Sequence, residues 1–198
     1  MLPAAVTAFH LFAQRFAPVS PAEAATWFAW FRPVAHRRRQ RLQREGDLVE
    51  DVFFLESGLV RGYYLHPDGQ DITASFYFGP TLVGDVAALR DHLPTRLNLD
   101  VLQAGQLWRA RLADLERLTA QHPALTHFFW KFFEHIYRFY HQRQLAFIYD
   151  APAERYRKLL HERPKVAEQV PLRYIASYLG ITPESLSRIR QRLAREGQ

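Results

Sequence analysis

The chain has 198 residues and no cysteine, which removes disulfides, thiolate metal sites and cysteine nucleophiles together. With 48% hydrophobic and 14% aromatic residues it has the material for a sizeable core, and global disorder is excluded as a description. The net charge of +6 is unevenly spread: residues 151–198 hold ten Lys/Arg against five Asp/Glu, while the first 150 hold sixteen against fifteen, a skew that suits a C-terminal module meeting a polyanion.

No apolar run reaches 18 residues, so no membrane span is expected, and a cytoplasmic location fits. The opening Met1–Pro18 lacks the basic start and cleavage site of a signal peptide and reads as a short amphipathic helix. Ser20 and Pro21 then have the chemistry of a helix cap and first turn, with a short helix running on through Trp27 and Phe31. From Arg32 to about Arg111 the pattern changes to strands and turns. Val52–Leu55 is a short apolar strand, Glu56-Ser57-Gly58 a turn, Leu59–Leu65 a second strand, and His66–Gln70 a hairpin connection. Asp71–Phe78 alternates, with Ile72, Ala74, Phe76 and Phe78 on one face and Thr73, Ser75 and Tyr77 on the other. Leu97–Leu102 and Gln106–Arg111 complete a set whose short, evenly spaced strands indicate a sandwich or barrel. The basic run His36–Arg41 is expected to be a solvated edge strand.

From Leu112 the pattern is helical, with a long aromatic helix from about Pro123 to Phe147. Leu125, Phe129, Phe132, Ile136 and Phe139 recur at 4-3-4-3 spacing, the seam of a two-helix contact, and this stripe is assigned to a dimer interface. A second stripe holds Trp130, Phe133, Tyr137 and Tyr140. One stripe packs on the strands and the other on a second copy; a helix buried in a monomer core is the alternative. Asp150–Glu154 marks a break and a new helix start.

The most specific signal is Leu172–Gln191. Two short helices crossing steeply need a small residue at their contact, a glycine at the turn and apolar residues beneath. Ala176, Gly180 and the set Ile175, Leu179, Ile181, Leu186 and Ile189 supply these. Thr182 is positioned to cap the second helix, Pro183 to open it, and Glu184 to meet the positive end of its dipole. Helical spacing puts Leu186, Ile189 and Leu193 inward and Glu184, Arg188, Gln191 and Arg195 outward, flanked by Ser187 and Arg192. Carboxylate, guanidinium and amide groups are those that read base edges in a major groove. Thr182, Arg190 and Arg192 are better placed for phosphates.

Here the sequence resembles the Crp/Fnr family of bacterial regulators, through Phe54–Arg61, Asp68-Gly69 and the segment Ile181–Arg190. The resemblance implies an α+β chain: an N-terminal double-stranded β-helix, jelly-roll-like sensor over 1–122, a dimerisation helix over 123–149, and a helix-turn-helix over 150–198. It implies a non-enzymatic transcription regulator that binds double-stranded DNA as a homodimer through helix 183–195. RNA polymerase and an unidentified small-molecule effector are further partners it brings in. Glu184 and Arg188 match the family's base-contacting pair. Its phosphate-binding cassette would fall on Gly84-Asp85, with the arginine position on Thr95 and the nearest arginine, Arg96, displaced by one. A threonine cannot replace a guanidinium on phosphate, so a cyclic nucleotide is left open but disfavoured as ligand. The few residues after Leu193 lead to the expectation of a truncated wing, with backbone contacts from Arg192, Arg195, the first helix of the pair, and Lys158 or Arg163. A β-roll module acting through protein contacts, without specific DNA binding, is the alternative. His127, His135 and His141 lack metal-ligand spacing, and no catalytic or metal site is expected.

Overall fold

The computed structural model describes residues 2–196. Residues 1–62 and 77–137 form one compact unit, and residues 63–76 with 138–198 form another.

The first unit opens with α1 (Ala4–Ala13) and α2 (Pro21–Phe28). Ser20 caps α2 in a reciprocal box: its hydroxyl accepts from the Glu23 amide at 3.2 Å, and its own amide donates to Glu23 Oε2 at 2.8 Å. The Ser20 hydroxyl also donates to Glu23 Oε2 at 2.6 Å, and this bond, then the one from the Ser20 amide, holds the Glu23 carboxyl below the ordinary range. Next come β1 (Arg32–Pro33), β2 (Arg41–Gln43), β3 (Asp51–Leu55), β4 (Leu59–Leu65), β5 (Asp71–Phe78), β6 (Thr81–Val83), α3 (Val86–Asp91), β7 (Asn98–Gln103) and β8 (Leu107–Arg111). They form two four-stranded sheets, ordered β1-β8-β3-β6 and β2-β7-β4-β5. β3 pairs antiparallel with β8 and β6, setting Phe54 opposite Trp108 and Leu82. The turn before β4 uses Gly58 at φ +97°, where a Cβ would meet the Gln103 carbonyl at 2.7 Å.

β3 is apolar on both faces because each face meets a different core. Val52 and Phe54 enter a cluster with α1, α2 and the helices that follow β8, while Phe53 and Leu55 join Val60, Val83, Leu97, Leu99, Val101 and Leu107. The first cluster is aromatic: Phe54 lies 5.3 Å from Phe9, 5.8 Å from Phe12 and 5.8 Å from Phe28.

Beyond β8 lie α4 (Leu112–Gln121) and α5 (Pro123–Tyr149). Leu125 and Phe132 are buried in the aromatic cluster, with Phe128, and Phe129 and Ile136 pack against it. The 4-3-4-3 stripe is therefore intramolecular over these positions, which corrects its assignment to a dimer seam. The reason is the wall of rings offered by α1 and the turn after it, including Phe12 at 5.7 Å and Phe16 at 5.3 Å from Phe132. Phe139, also assigned to that seam, instead lies beneath the Arg163 guanidinium at 5.2 Å. The second stripe faces solvent, with Trp130 71% and Tyr137 68% exposed and Phe133 and Tyr140 less so.

The second unit holds α6 (Pro152–Glu162), α7 (Pro164–Gln169), α8 (Leu172–Leu179) and α9 (Pro183–Glu196), with the C-terminal part of α5 and residues 63–76, the end of β4 and most of β5. This grouping departs from the divisions drawn at 122/123 and 149/150. The hairpin belongs here because α5 and α8 bond to its outer strand. Ser177 accepts from the Thr73 amide and donates to the Asp71 carbonyl, both at 2.9 Å, and Arg143 donates to the Thr73 carbonyl at 3.3 Å. Phe76 packs on Tyr178 at 5.4 Å.

Thr73 and Ser75 are buried like Ala74 and Phe76, while Ile72 is exposed. One strand expectation is corrected. Within His36–Arg41 only Arg41 enters a strand; the rest is a loop and turn with Arg39 at φ +66°. The truncated wing concerns chain beyond α9, which lies outside the described residues. Among the described residues no helix is long and apolar enough to cross a membrane.

Candidate nucleic-acid interface and sensor site

α8 and α9 meet as their small residue and turn require. Ala176, Ile175, Leu179 and Leu186 are buried, and Gly180 ends α8 in the left-handed conformation at φ +69°. Thr182 caps α9: its hydroxyl accepts from the Ser185 amide at 3.2 Å. With Leu186 anchored, and Ile189 and Leu193 half-buried, Glu184, Ser187, Arg188, Gln191, Arg192 and Arg195 all lie exposed, as does Thr182. The seven residues nominated for DNA contact thus share one open side of α9 and its cap.

Ser185, which the sequence reading did not single out, organises the start of this surface. Its hydroxyl accepts from Arg188 Nη2 at 3.0 Å and from the Thr182 hydroxyl at 3.2 Å. The signal was there in the i, i+3 spacing of Thr182, Ser185 and Arg188. Glu184 is held below the ordinary carboxylate range, first by its own backbone amide, then by the Thr182 hydroxyl, then by the charge of Arg188. A depressed carboxyl stays ionised, and an acceptor, through neutral and mildly acidic pH; those interactions are lost only as pH falls through its lowered value.

Lys158 and Arg163, nominated for phosphate contact, also make bonds inside the unit. Lys158 pairs with Asp150 at 2.7 Å, and that hydrogen bond is the main cause of its raised ammonium pKa. Arg163 donates to the Phe76 carbonyl at 2.6 Å.

The four residues nominated for an effector divide. Asp85 Oδ1 accepts from the Ala88 amide at 3.3 Å and so caps α3, while Oδ2 accepts from the Thr95 hydroxyl at 2.8 Å. Thr95 is 1% exposed and also accepts from Gln43 Nε2 at 2.9 Å and from the Leu97 amide at 3.0 Å. One donor and two acceptor lone pairs are the full capacity of a hydroxyl. Thr95 is saturated by protein, and the cassette position holds a structural knot rather than a free group. Gly84 lies beside that knot in sequence, and Arg96 is exposed. Gln43 and Asn98, both buried and both absent from the sequence reading, complete this polar region; Asn98 Oδ1 accepts from the Glu45 amide at 3.1 Å. His127, His135 and His141 do not converge, and among the described residues no three metal-ligating side chains come together. His135 packs 5.5 Å from Phe16; burial, then the charge of Arg15, lowers its pKa.

Residues 33–122 match the cyclic nucleotide-binding domain family. No curated protein matches the sequence. Among solved structures, the chain is similar to FixK2 from Bradyrhizobium japonicum, with 20% identity over 84% of this chain and 86% of that one, at a TM-score of 0.72. The catabolite activator protein of Thermus thermophilus shares 20% identity over 92% and 87% of the two chains, with a TM-score of 0.58. The global regulator CLP of Xanthomonas campestris, described as c-di-GMP responsive, shares 16% identity over 89% and 93%, with a TM-score of 0.72. Residues 33–122 are thus similar to the cyclic nucleotide-binding domain family, and the chain shares its fold with these three solved regulators.

Proposed function

We propose that this protein is a DNA-binding transcription regulator of the Crp/Fnr type, a homodimer that reads a pseudo-palindromic operator with α9 and works in the cytoplasm. The observation that carries the reading is the open polar side of α9, where Glu184 and Arg188 stand exposed on a capped, anchored helix. Arginine suits bidentate recognition of guanine and glutamate accepts from a cytosine amino group; Arg192 and Arg195 suit phosphates. A dimer would present two such helices to half-sites about 10 bp apart, or a multiple of that spacing. Selection of bound duplexes from a random pool tests this. Wild-type protein is expected to enrich a two-fold motif, and Arg188→Ala to bind its best site about 1–3 kcal/mol more weakly with relaxed preference at one base pair. Equal binding of random duplexes by both proteins would sink the proposal.

For the dimer we favour the exposed α5 stripe of Trp130, Phe133, Tyr137 and Tyr140, since the other stripe is committed to the core. Large exposed aromatic patches mark interaction surfaces. Trp130→Glu combined with Tyr137→Glu is expected to shift sedimentation toward monomer while leaving the circular dichroism spectrum unchanged. A wild-type chain that is monomeric throughout would rule this interface out.

The sensor is proposed not to be a standard cyclic-nucleotide site, because Thr95 occupies the guanidinium position with its bonding capacity full.

A further inference from the structure

Within the second unit, the C-terminal part of α5, together with α6 and the end of α8, lines an open pocket of about 460 Å³. That volume lies in the range of small-molecule sites. Its walls combine Phe139, Phe147, Leu159 and Tyr178 with three arginines, Arg143, Arg155 and Arg163.

The arginines are unusual in what they bond. Arg143 donates to the carbonyls of Thr73 and Tyr178, Arg155 to those of Leu179 and Asp150, and Arg163 to that of Phe76. None of the three has a carboxylate partner among the described residues. Their other contacts are aromatic faces: Arg143 over Phe147 at 4.9 Å and Tyr178 at 4.5 Å, Arg155 over Phe147 at 4.6 Å, and Arg163 over Phe139 at 5.2 Å. Carbonyl dipoles and ring quadrupoles orient a guanidinium without cancelling its charge. Two donor atoms in this group, Arg143 Nε and Arg163 Nη1, are buried and find no hydrogen-bond partner in the protein. A buried donor without an acceptor is costly, so each of these atoms calls for an explanation. The nearby acids do not supply one: Asp150 is paired with Lys158, and Glu162 is exposed on the pocket rim.

We infer that this pocket binds a small organic anion, a carboxylate or phosphate carried on an aromatic or similarly apolar body. The anionic head would meet the uncancelled charge of the guanidinium group, and the body would lie against Phe139 and Leu159. None of its lining residues is among the four nominated for the effector or the seven nominated on α9 and its cap.

Titration calorimetry on the full, DNA-free chain tests this independently of the regulator proposal, because no DNA is present. The probes are 1-naphthyl phosphate, 1-naphthoate and the neutral 1-naphthol. Saturable binding of at least one anion is expected, at least tenfold tighter than 1-naphthol and weakening as salt is raised. A preference between the two anions identifies the head group. Leu145→Trp, on the exposed flank of the pocket, is expected to abolish binding without changing the melting temperature. Arg163→Gln is expected to weaken it at least tenfold, with folding monitored because Arg163 also anchors Phe76. Equal affinity for 1-naphthol, normal binding by folded Leu145→Trp, or no binding of either anion at millimolar concentration would each overturn the inference.

Discussion

Replacing Phe54 with alanine is expected to destabilise the first unit by about 3–5 kcal/mol. The ring is fully buried, and Phe9 and Phe28 both meet it nearly edge-on, at interplanar angles of 84° and 85°. Removing it deletes apolar contact, leaves a cavity, and strips the neighbouring rings of a partner; each aromatic pair contributes roughly 0.5–1.5 kcal/mol beyond burial. These terms overlap, so the total stays in the cavity-forming range. All four tryptophans, Trp27, Trp30, Trp108 and Trp130, lie in this unit, so urea unfolding followed by their fluorescence reports it directly. The midpoint should fall with the slope unchanged. Phe54→Leu, which refills most of the space, should lose much less. A loss below about 1 kcal/mol for alanine would mean that the ring is not held in a packed core.

Gly180→Ala is expected to cost the second unit about 2–3 kcal/mol, from two separable sources. A left-handed φ of +69° disfavours any Cβ, and the Cβ built there meets Phe147 Cε1 at 2.8 Å. Phe147 is partly exposed and could swing aside, but both Arg143 and Arg155 lie over its ring, so moving it gives up those contacts. A double-mutant cycle separates the effects: in a Phe147→Ala background, Gly180→Ala should retain only the backbone part, about 1–2 kcal/mol. Hydrogen exchange of the α8 and α9 amides is the readout, with protection falling in both helices. An unchanged exchange pattern would show that the turn tolerates the substitution and that its geometry does not depend on glycine.

The helix-turn-helix was legible because its signals are local. Ala176, Gly180, Thr182 and Pro183 fall within one short segment, and their roles follow from helix spacing and cap chemistry alone. The long helix was only half legible. Both of its stripes are aromatic, and nothing within α5 says which one the N-terminal rings cover; Phe12 and Phe16 decide that from more than a hundred residues away in sequence. The burial of Thr73 has the same origin, since Ser177 and Arg143 reach it from 104 and 70 residues along the chain. Counting placed Thr95 at the cassette position but could not show Gln43 and Asp85 arriving to fill its hydrogen bonds. The arginine-rich run misled because alternation was assumed where Arg39 turns the backbone.

β5 is the outermost strand of its sheet, and a bare outermost strand is a template for pairing with another molecule. The Ser177 hydroxyl and the Arg143 guanidinium occupy the amide and carbonyl positions that such a neighbour would use. The C-terminal helices therefore act as a built-in sheath against self-templating, and a chain interrupted before them would offer that rim to its own kind.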